Sequence, residues 1–221
     1  MAKLSPLALA VLVMLSERPM HPYEIGRLMR SRGKDQSIKI RYGSLYTVVQ
    51  NLEKQGLVEA DGTDRAGNRP ERTVYSVTGT GREAMDRRLS EIIELPEKEY
   101  PAFEGALSLV GVLGPDRTVE LLERRLAALE RELAEGREVY DHLISDLRLP
   151  RLFLIEVEYA AHQKRAEADW VRGLLTELKE ETIDGMSAWR SFFGGGGFPE
   201  EWKDRPFAAS ELGLNEEAPE N

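Results

Sequence analysis

A mainly α-helical fold is predicted for this 221-residue chain. Short helices and one β-hairpin occupy its first part and long helices its second. Three observations predict it. Apolar residues recur at spacings of three and four through most of the chain, the period of a helix with one buried face. One pair of segments, Leu57–Ala60 and Arg72–Val77, instead reads as strands around a turn-rich loop. The charge is also divided. Residues 1–90 hold 15 Lys and Arg against 10 Asp and Glu, a net of +5, and the remainder nets −14, giving −9 overall.

That division points to an anionic partner for the first part alone, because the acidic part discourages non-specific binding to polyanions. The chain contains no cysteine, which excludes a disulfide framework, a thiol nucleophile and a cysteine metal site. The apolar run from Leu7 to Leu15 follows Pro6, lacks a small-residue cleavage site and is too short to span a bilayer. It is expected to be a core helix of a soluble, cytoplasmic protein with no membrane partner.

Taken in order, Ser5-Pro6 supplies an N-cap and a first-turn proline, Leu7, Val11, Met14 and Leu15 supply a buried face, and Arg18-Pro19 supplies a stop. His21-Pro22 starts a second helix through Ile25, Leu28 and Met29 to Gly33, and residues 34–41 form a basic connector. A third helix begins at Tyr42. Leu45, Val48, Val49 and Leu52 form its apolar face, and Gly56 ends it. Gly43, Thr47, Gln50 and Lys54 fall on the opposite face, flanked by Tyr46 and Asn51. The expected hairpin follows, with Asp61–Glu71 as its loop, and Thr78-Gly79-Thr80-Gly81 opens a fourth helix that ends before Pro96. Three helices and a hairpin with a basic tip describe a winged helix-turn-helix.

Pro96 to Pro101 marks a boundary, and Ala102 to Leu113 a short apolar helix or linker. From Gly114-Pro115-Asp116 a long helix carries Val119, Leu122, Leu126, Leu129, Leu133, Gly136, Tyr140, Leu143 and Leu147 at alternating spacings of three and four. This is a heptad stripe over about four heptads. After Pro150, a last helix runs from about Arg151 to Phe193 with Leu152, Ile155, Tyr159, Ala166, Trp170, Leu174, Leu178, Met186 and Trp189 as its stripe. Unbroken, it would reach on the order of 60 Å, and such a helix usually buries its stripe against a partner subunit. The expected organisation is a winged-helix domain over residues 1–95, a helical dimerisation and effector domain over 96–193, and a flexible acidic tail over 194–221.

Tyr42-Gly43-Ser44-Leu45-Tyr46, Leu52-Glu53-Lys54-Gln55-Gly56-Leu57-Val58 and Arg72-Thr73-Val74-Tyr75-Ser76-Val77-Thr78 with Gly81 resemble the PadR family of bacterial transcriptional regulators. Pro22-Tyr23-Glu24-Ile25 matches too. Ala106-Leu107-Ser108, Leu121-Leu122-Glu123-Arg124-Arg125 and Ala166-Glu167-Ala168-Asp169-Trp170 look like its longer-tailed members. The resemblance spans about residues 5 to 190. It implies a homodimer of winged-helix subunits joined by C-terminal helices and binding an inverted-repeat operator in double-stranded DNA. It also implies a repressor released by a small, often aromatic, effector near the dimer interface. Thr47 stands where the family often has proline, and Val74 where it often has tyrosine. Thr47 keeps the helix regular and adds a hydroxyl to its outer face.

The residue chemistry names candidate contacts. Gln50 and Asn51 are able to make bidentate contacts to adenine, and Thr47 can meet a thymine methyl or donate. Tyr42, Ser44 and Tyr46 lie near the helix start, where free backbone N–H groups attract phosphate; Tyr42 and Tyr46 could equally pack on the second helix. Lys39 and Arg41, just ahead of it, suit phosphate. Arg65 and Arg69 at the hairpin tip suit phosphate or the minor groove, and Arg72 either joins them or pairs with a carboxylate. Tyr159, Trp170 and Trp189 fit either helix packing or an effector pocket.

His21, His142 and His162 are scattered. No metalloprotease, nucleophile-elbow, P-loop or dinucleotide motif is present, so neither an enzyme, a metal site nor a cofactor is expected. The alternative to a DNA-binding regulator is a protein-interaction and oligomerisation module built on a winged-helix domain, against which the basic balance of residues 1–90 argues.

Overall fold

Capping chemistry sets where the first helix begins. In the computed structural model, which describes residues 3–64 and 72–196, Ser5 accepts a hydrogen bond from the Ala8 N–H at 3.2 Å and Pro6 opens helix α1, Pro6–Glu17. Arg18 leaves it in an extended conformation, as a residue before proline must. The sequence predicts one buried face for this helix. Instead Ala8, Leu9, Ala10, Val11, Leu12, Met14 and Leu15 are all buried. A helix apolar nearly all round belongs at the centre of its core, and α1 packs on elements from every other part of its unit.

The chain divides into two compact units, Met1–Glu99 and Tyr100–Asn221. In the first, Met20 pairs with Tyr75 through two backbone hydrogen bonds of 3.1 and 3.0 Å, a one-residue third strand on the hairpin. Nothing in the sequence flags that pairing. Helix α2, Pro22–Ser31, starts with a reciprocal cap: His21 Nδ1 accepts from the Tyr23 N–H, and the Glu24 carboxylate accepts from the His21 N–H. It buries Ile25 and Met29. After the connector, in which Ile38 and Ile40 pack on the core, comes α3, Tyr42–Lys54. Leu45, Val49 and Leu52 are essentially inaccessible. Gly56, at φ +68°, closes the helix with bonds from the Gly56 N–H to Glu53 O and the Leu57 N–H to Leu52 O, the left-handed stop that glycine permits.

The hairpin pairs β1, Val58–Asp64, with β2, Arg72–Val77, antiparallel with Val58 opposite Val77. The first strand therefore runs four residues beyond the expected Leu57–Ala60. A bulge between Ala60 and Thr63, with Gly62 at φ +98°, carries the turn-type residues Asp61 and Gly62 between the paired positions, so that pairing resumes at Thr63. Thr78 then joins three elements. Its hydroxyl donates to Gly56 O at 2.7 Å and accepts from the Gly81 N–H at 3.0 Å, capping α4, Gly79–Glu94. Gly81 lies so close to the chain that a Cβ there would sit 2.0 Å from Leu57 O. Toward the end of α4 the buried Arg88 binds Glu97 at 2.6 Å, and Lys3 binds the same carboxylate at 2.8 Å. Arg88 and then Lys3 hold the Glu97 carboxyl at about 2.

The second unit contains α5, Ala102–Leu107, a short 3-10 turn at Val110–Val112, and the 31-residue α6, Pro115–Ser145. A second 3-10 turn at Arg151–Phe153 leads into α7, Ile155–Lys179. Here the sequence expects one helix to Phe193. The structure breaks it after Lys179, where Glu181 and Gly185 take positive φ, and restarts it as the short α8, Met186–Ser191. Ile183 and Met186 can then fold back onto the core of Leu122, Val171, Leu175 and Leu178, which a straight rod would not allow.

α6 and α7 pair antiparallel, laced by Lys179–Glu123, Arg172–Glu130, Arg125–Glu167 and Lys164–Glu132. The heptad stripe of α6 is thus partly used within the chain: Leu122 and Leu129 are buried, and Val119, Leu126, Leu133, Tyr140 and Leu143 half-buried. The buried stripe of α7 is Ala168, Val171, Leu175 and Leu178, which leaves Leu152, Ile155, Tyr159 and Trp170 exposed. Toward the α6–α7 connection, polar contacts replace the core. Tyr140 donates to Glu158 at 2.6 Å, and Arg151 grips the same carboxylate. Arg151 and then Tyr140 hold Glu158 at about 2.

Candidate nucleic-acid interface

The core face of α3 is fixed by three buried aliphatic residues, so the opposite face is fixed as well. Gly43, Ser44, Tyr46, Thr47, Gln50 and Asn51 are all exposed on it. Glu53, near the far end, is the helix's only carboxylate. Lys39 and Arg41 stand exposed just ahead of the first turn. No side chain caps that end of the helix, so the backbone N–H groups of its first turn point outward, with the positive end of the helix dipole behind them. Such an end attracts a phosphate oxygen.

The individual side chains are held differently. Thr47 is exposed and donates back to Gly43 O at 3.2 Å. Tyr46, 42% exposed, meets the His21 ring edge-to-face at 5.7 Å between centroids. Tyr46 thus packs beside the cap that starts α2 while remaining partly exposed. Gln50 and Asn51 are exposed, one turn further along. Tyr42 lies at the first helical position. Arg72 sits at the start of β2, with its Cα opposite that of Asp64. Arg65 and Arg69 lie outside the described residues.

One basic edge lies outside the contacts expected from the sequence. α2 exposes Tyr23, Arg27 and Arg30, spaced four and three apart and thus on a single face. That spacing was the signal available. α2 packs directly on α3, so its basic edge adds to the positive surroundings.

The three aromatic candidates in the second unit occupy different environments. Trp170, half-exposed, meets Phe103 edge-on at 6.2 Å, and the Arg125 guanidinium lies 3.6 Å above the same Phe103 ring. Trp189 packs on the small core and donates to Leu113 O at 2.8 Å. Tyr159 is exposed and accepts from Gln163. It is eleven residues from Trp170 along α7, about 16 Å at 1.5 Å per residue.

No helix among the described residues is long and apolar enough to cross a membrane. Three helices on one core, a third helix with an exposed polar face, and a hairpin directly behind it define a winged-helix domain.

Residues 11–87 match the family model described as the transcriptional regulator PadR-like family. The fold of a Bacillus subtilis PadR crystal structure in complex with operator DNA is similar, with a TM-score of 0.62 at 18% identity, covering 79% of this chain and 99% of that one. The same B. subtilis protein in complex with p-coumaric acid gives 0.59 at 15% identity, covering 78% and 98%. The Vibrio cholerae virulence activator AphA gives 0.57 at 19% identity, covering 79% and 99%. No curated protein matches the chain.

Proposed function

We propose that the chain acts as a dimeric, sequence-specific transcriptional repressor in the cytoplasm. α3 enters the major groove of an inverted-repeat operator, and Thr47, Gln50 and Asn51 read base edges. Lys39, Arg41, Tyr42, Ser44 and Tyr46 bind the phosphate backbone. The wing arginines Arg65, Arg69 and Arg72 extend that contact to the flanking duplex. The single observation that carries this reading is the exposed, carboxylate-poor face of α3 behind two cationic residues. The operator-bound relative supports it by analogy of fold.

Dimerisation is assigned to the second unit. Leu147, Leu152, Phe153, Ile155 and Tyr159 are each more than half exposed around the α6–α7 connection, which is costly in water and is relieved by a second copy. Release by a small aromatic effector is proposed on the strength of the relative that binds p-coumaric acid.

A gel-shift titration with the DNA upstream of the chain's own gene tests the reading. Binding should exceed that to random duplex at moderate salt, and equal binding to both would sink it. In the same titration, Lys39→Ala and Arg41→Ala should each flatten the log–log salt dependence by about one unit if each neutralises one phosphate.

A further inference from the structure

The chain leaves the N-terminal unit through the last turn of α4, and apolar burial does not hold that exit. Ala84 is buried, and Met85 and Leu89 pack on the core. Beyond them residues 91–100 are all exposed, among them Ile93, Leu95 and Tyr100. Leu95, ahead of Pro96, is extended at φ −119° and ψ 127°, and Pro101, at φ −62° and ψ 133°, precedes α5. Glu97, between the two prolines, belongs to no helix or strand.

Its carboxylate is nonetheless held from two sides, by Arg88 at 2.6 Å and by Lys3 at 2.8 Å. Both partners are tied to the core. Arg88 is only 8% exposed, and its Nε donates to Leu4 O at 3.5 Å. Leu4, the neighbour of Lys3, is itself buried. An ion pair between two exposed, freely rotating side chains contributes little. Here the guanidinium is already desolvated and held in place, so less side-chain freedom is lost when Glu97 joins it. The exit is clasped to α4 and to the N-terminal segment together.

The clasp shortens the chain that follows. From Glu94, the end of α4, to Ala102, the start of α5, eight residues reach at most about 28 Å, whereas the five from Glu97 reach at most about 17 Å. In a symmetric dimer the second copy repeats the same limit. On duplex DNA, one base pair moves a half-site by about 3.4 Å and turns it by about 35°. The reach removed at each exit is therefore worth several base pairs of half-site separation.

We propose that Glu97 is a positioning residue: by clasping the exit of the winged-helix unit to Arg88 and Lys3, it sets which separation of operator half-sites the dimer accepts. This rests on the regulator reading above. In it Glu97 touches no DNA and acts through the chain it holds.

The test uses the full chain and duplexes bearing the two half-sites of its promoter, with up to two base pairs inserted or removed between them, beside a duplex bearing one half-site. The wild type should prefer one separation over its one-base-pair neighbours by about tenfold, and Glu97→Gln by about twofold or less. Affinity for the single half-site should be the same in both. The variant leaves Glu91 at 3.3 Å and Leu4 O on Arg88, so the buried cation keeps partners. Glu97→Asp, which retains the charge, should keep more of the preference than Glu97→Gln. Lys3→Met, altered at the exposed partner, should relax it in the same direction. An unchanged preference in Glu97→Gln, or an equal loss on the single half-site, would overturn the proposal and leave operator binding itself standing.

A second readout needs no DNA. The chain has no cysteine, so Lys54→Cys in α3 and Glu135→Cys in α6 supply two spin labels, and dilution with unlabelled chain isolates the distance within one copy. Its distribution should be broader with Glu97→Gln than without it, and equal widths would also overturn the proposal. Should the wild type show no preference for its promoter, the regulator reading fails and the label widths alone decide whether Glu97 holds the exit.

Discussion

The two units treat their apolar residues differently. Among the described residues of the first, eighteen buried hydrophobic residues from Leu4 to Ala84 form one cluster around α1. In the second, the corresponding cluster has five, from α6, α7 and α8, while Leu109, Val112, Leu152, Phe153 and Tyr159 are each more than 60% exposed. One unit closes its core within about ninety residues. The other is a helical hairpin with ion pairs along its length and polar contacts at its connection. On the proposed reading, the difference divides specificity from association. A self-sufficient core can hold α3 rigidly without outside help. A thin hairpin with uncovered aliphatic and aromatic residues is stabilised by whatever covers it.

The contrast is broken most severely at Gly81. Gly81→Ala places a Cβ against the Leu57 carbonyl and should destabilise the first unit by about 3 kcal/mol. In a thermal scan the change should appear in the transition of that unit and leave the second unit's transition in place. A single shared shift would show that the two units unfold together.

Phe153→Asp combined with Ile155→Asp puts charge on the exposed face of the second unit and should leave its helicity intact. Sedimentation should show dimer giving way to monomer, and affinity for a two-half-site duplex should fall about a hundredfold as the avidity of paired half-sites is lost. An unchanged sedimentation coefficient would move the interface elsewhere on the unit. Gln50→Ala, on the rigid unit, should leave the unfolding free energy within about 0.5 kcal/mol of wild type, as for an exposed site. It should relax preference at one base position by about 1–3 kcal/mol, read by competition between single-substituted operators.

The smallest effect concerns acid. Glu97 in the first unit and Glu158 in the second are both held at about 2, well below the ordinary 4.5. A carboxyl lowered on folding contributes stability that is fully present above about 4.5 and is lost as pH falls toward 2. Each unit should therefore soften over that window. Glu97→Gln should flatten the pH dependence of the first transition and Glu158→Gln that of the second. Equal slopes in variant and wild type would remove these pairs as the cause.

Much of the first unit was legible in the sequence because its signals are local. Ser5, Pro6, His21, Pro22, Gly56 and Thr78 each carry a cap or a stop in their own chemistry, and α3's apolar spacing fixed which residues face outward. The extra length of β1 was not legible, because Asp61 and Gly62 are turn-type residues and pairing resumes only beyond the bulge they form. The pairing of Met20 with Tyr75 joins residues 55 apart in sequence, and no local pattern announces it.

The sequence by itself determined the helix starts, the glycine stop behind α3, the polar outer face of α3 and the division of charge, since each follows from side-chain chemistry within one or two turns. The tertiary structure alone decided that α1 is buried nearly all round, that the last helix breaks at Glu181 to return Met186 to the core, and that α7 turns Val171 and Leu175 inward and Tyr159 and Trp170 outward. A helix with apolar residues on several faces has more than one stripe it could bury. Which one it buries depends on the surface opposite, and that surface comes from a distant part of the chain.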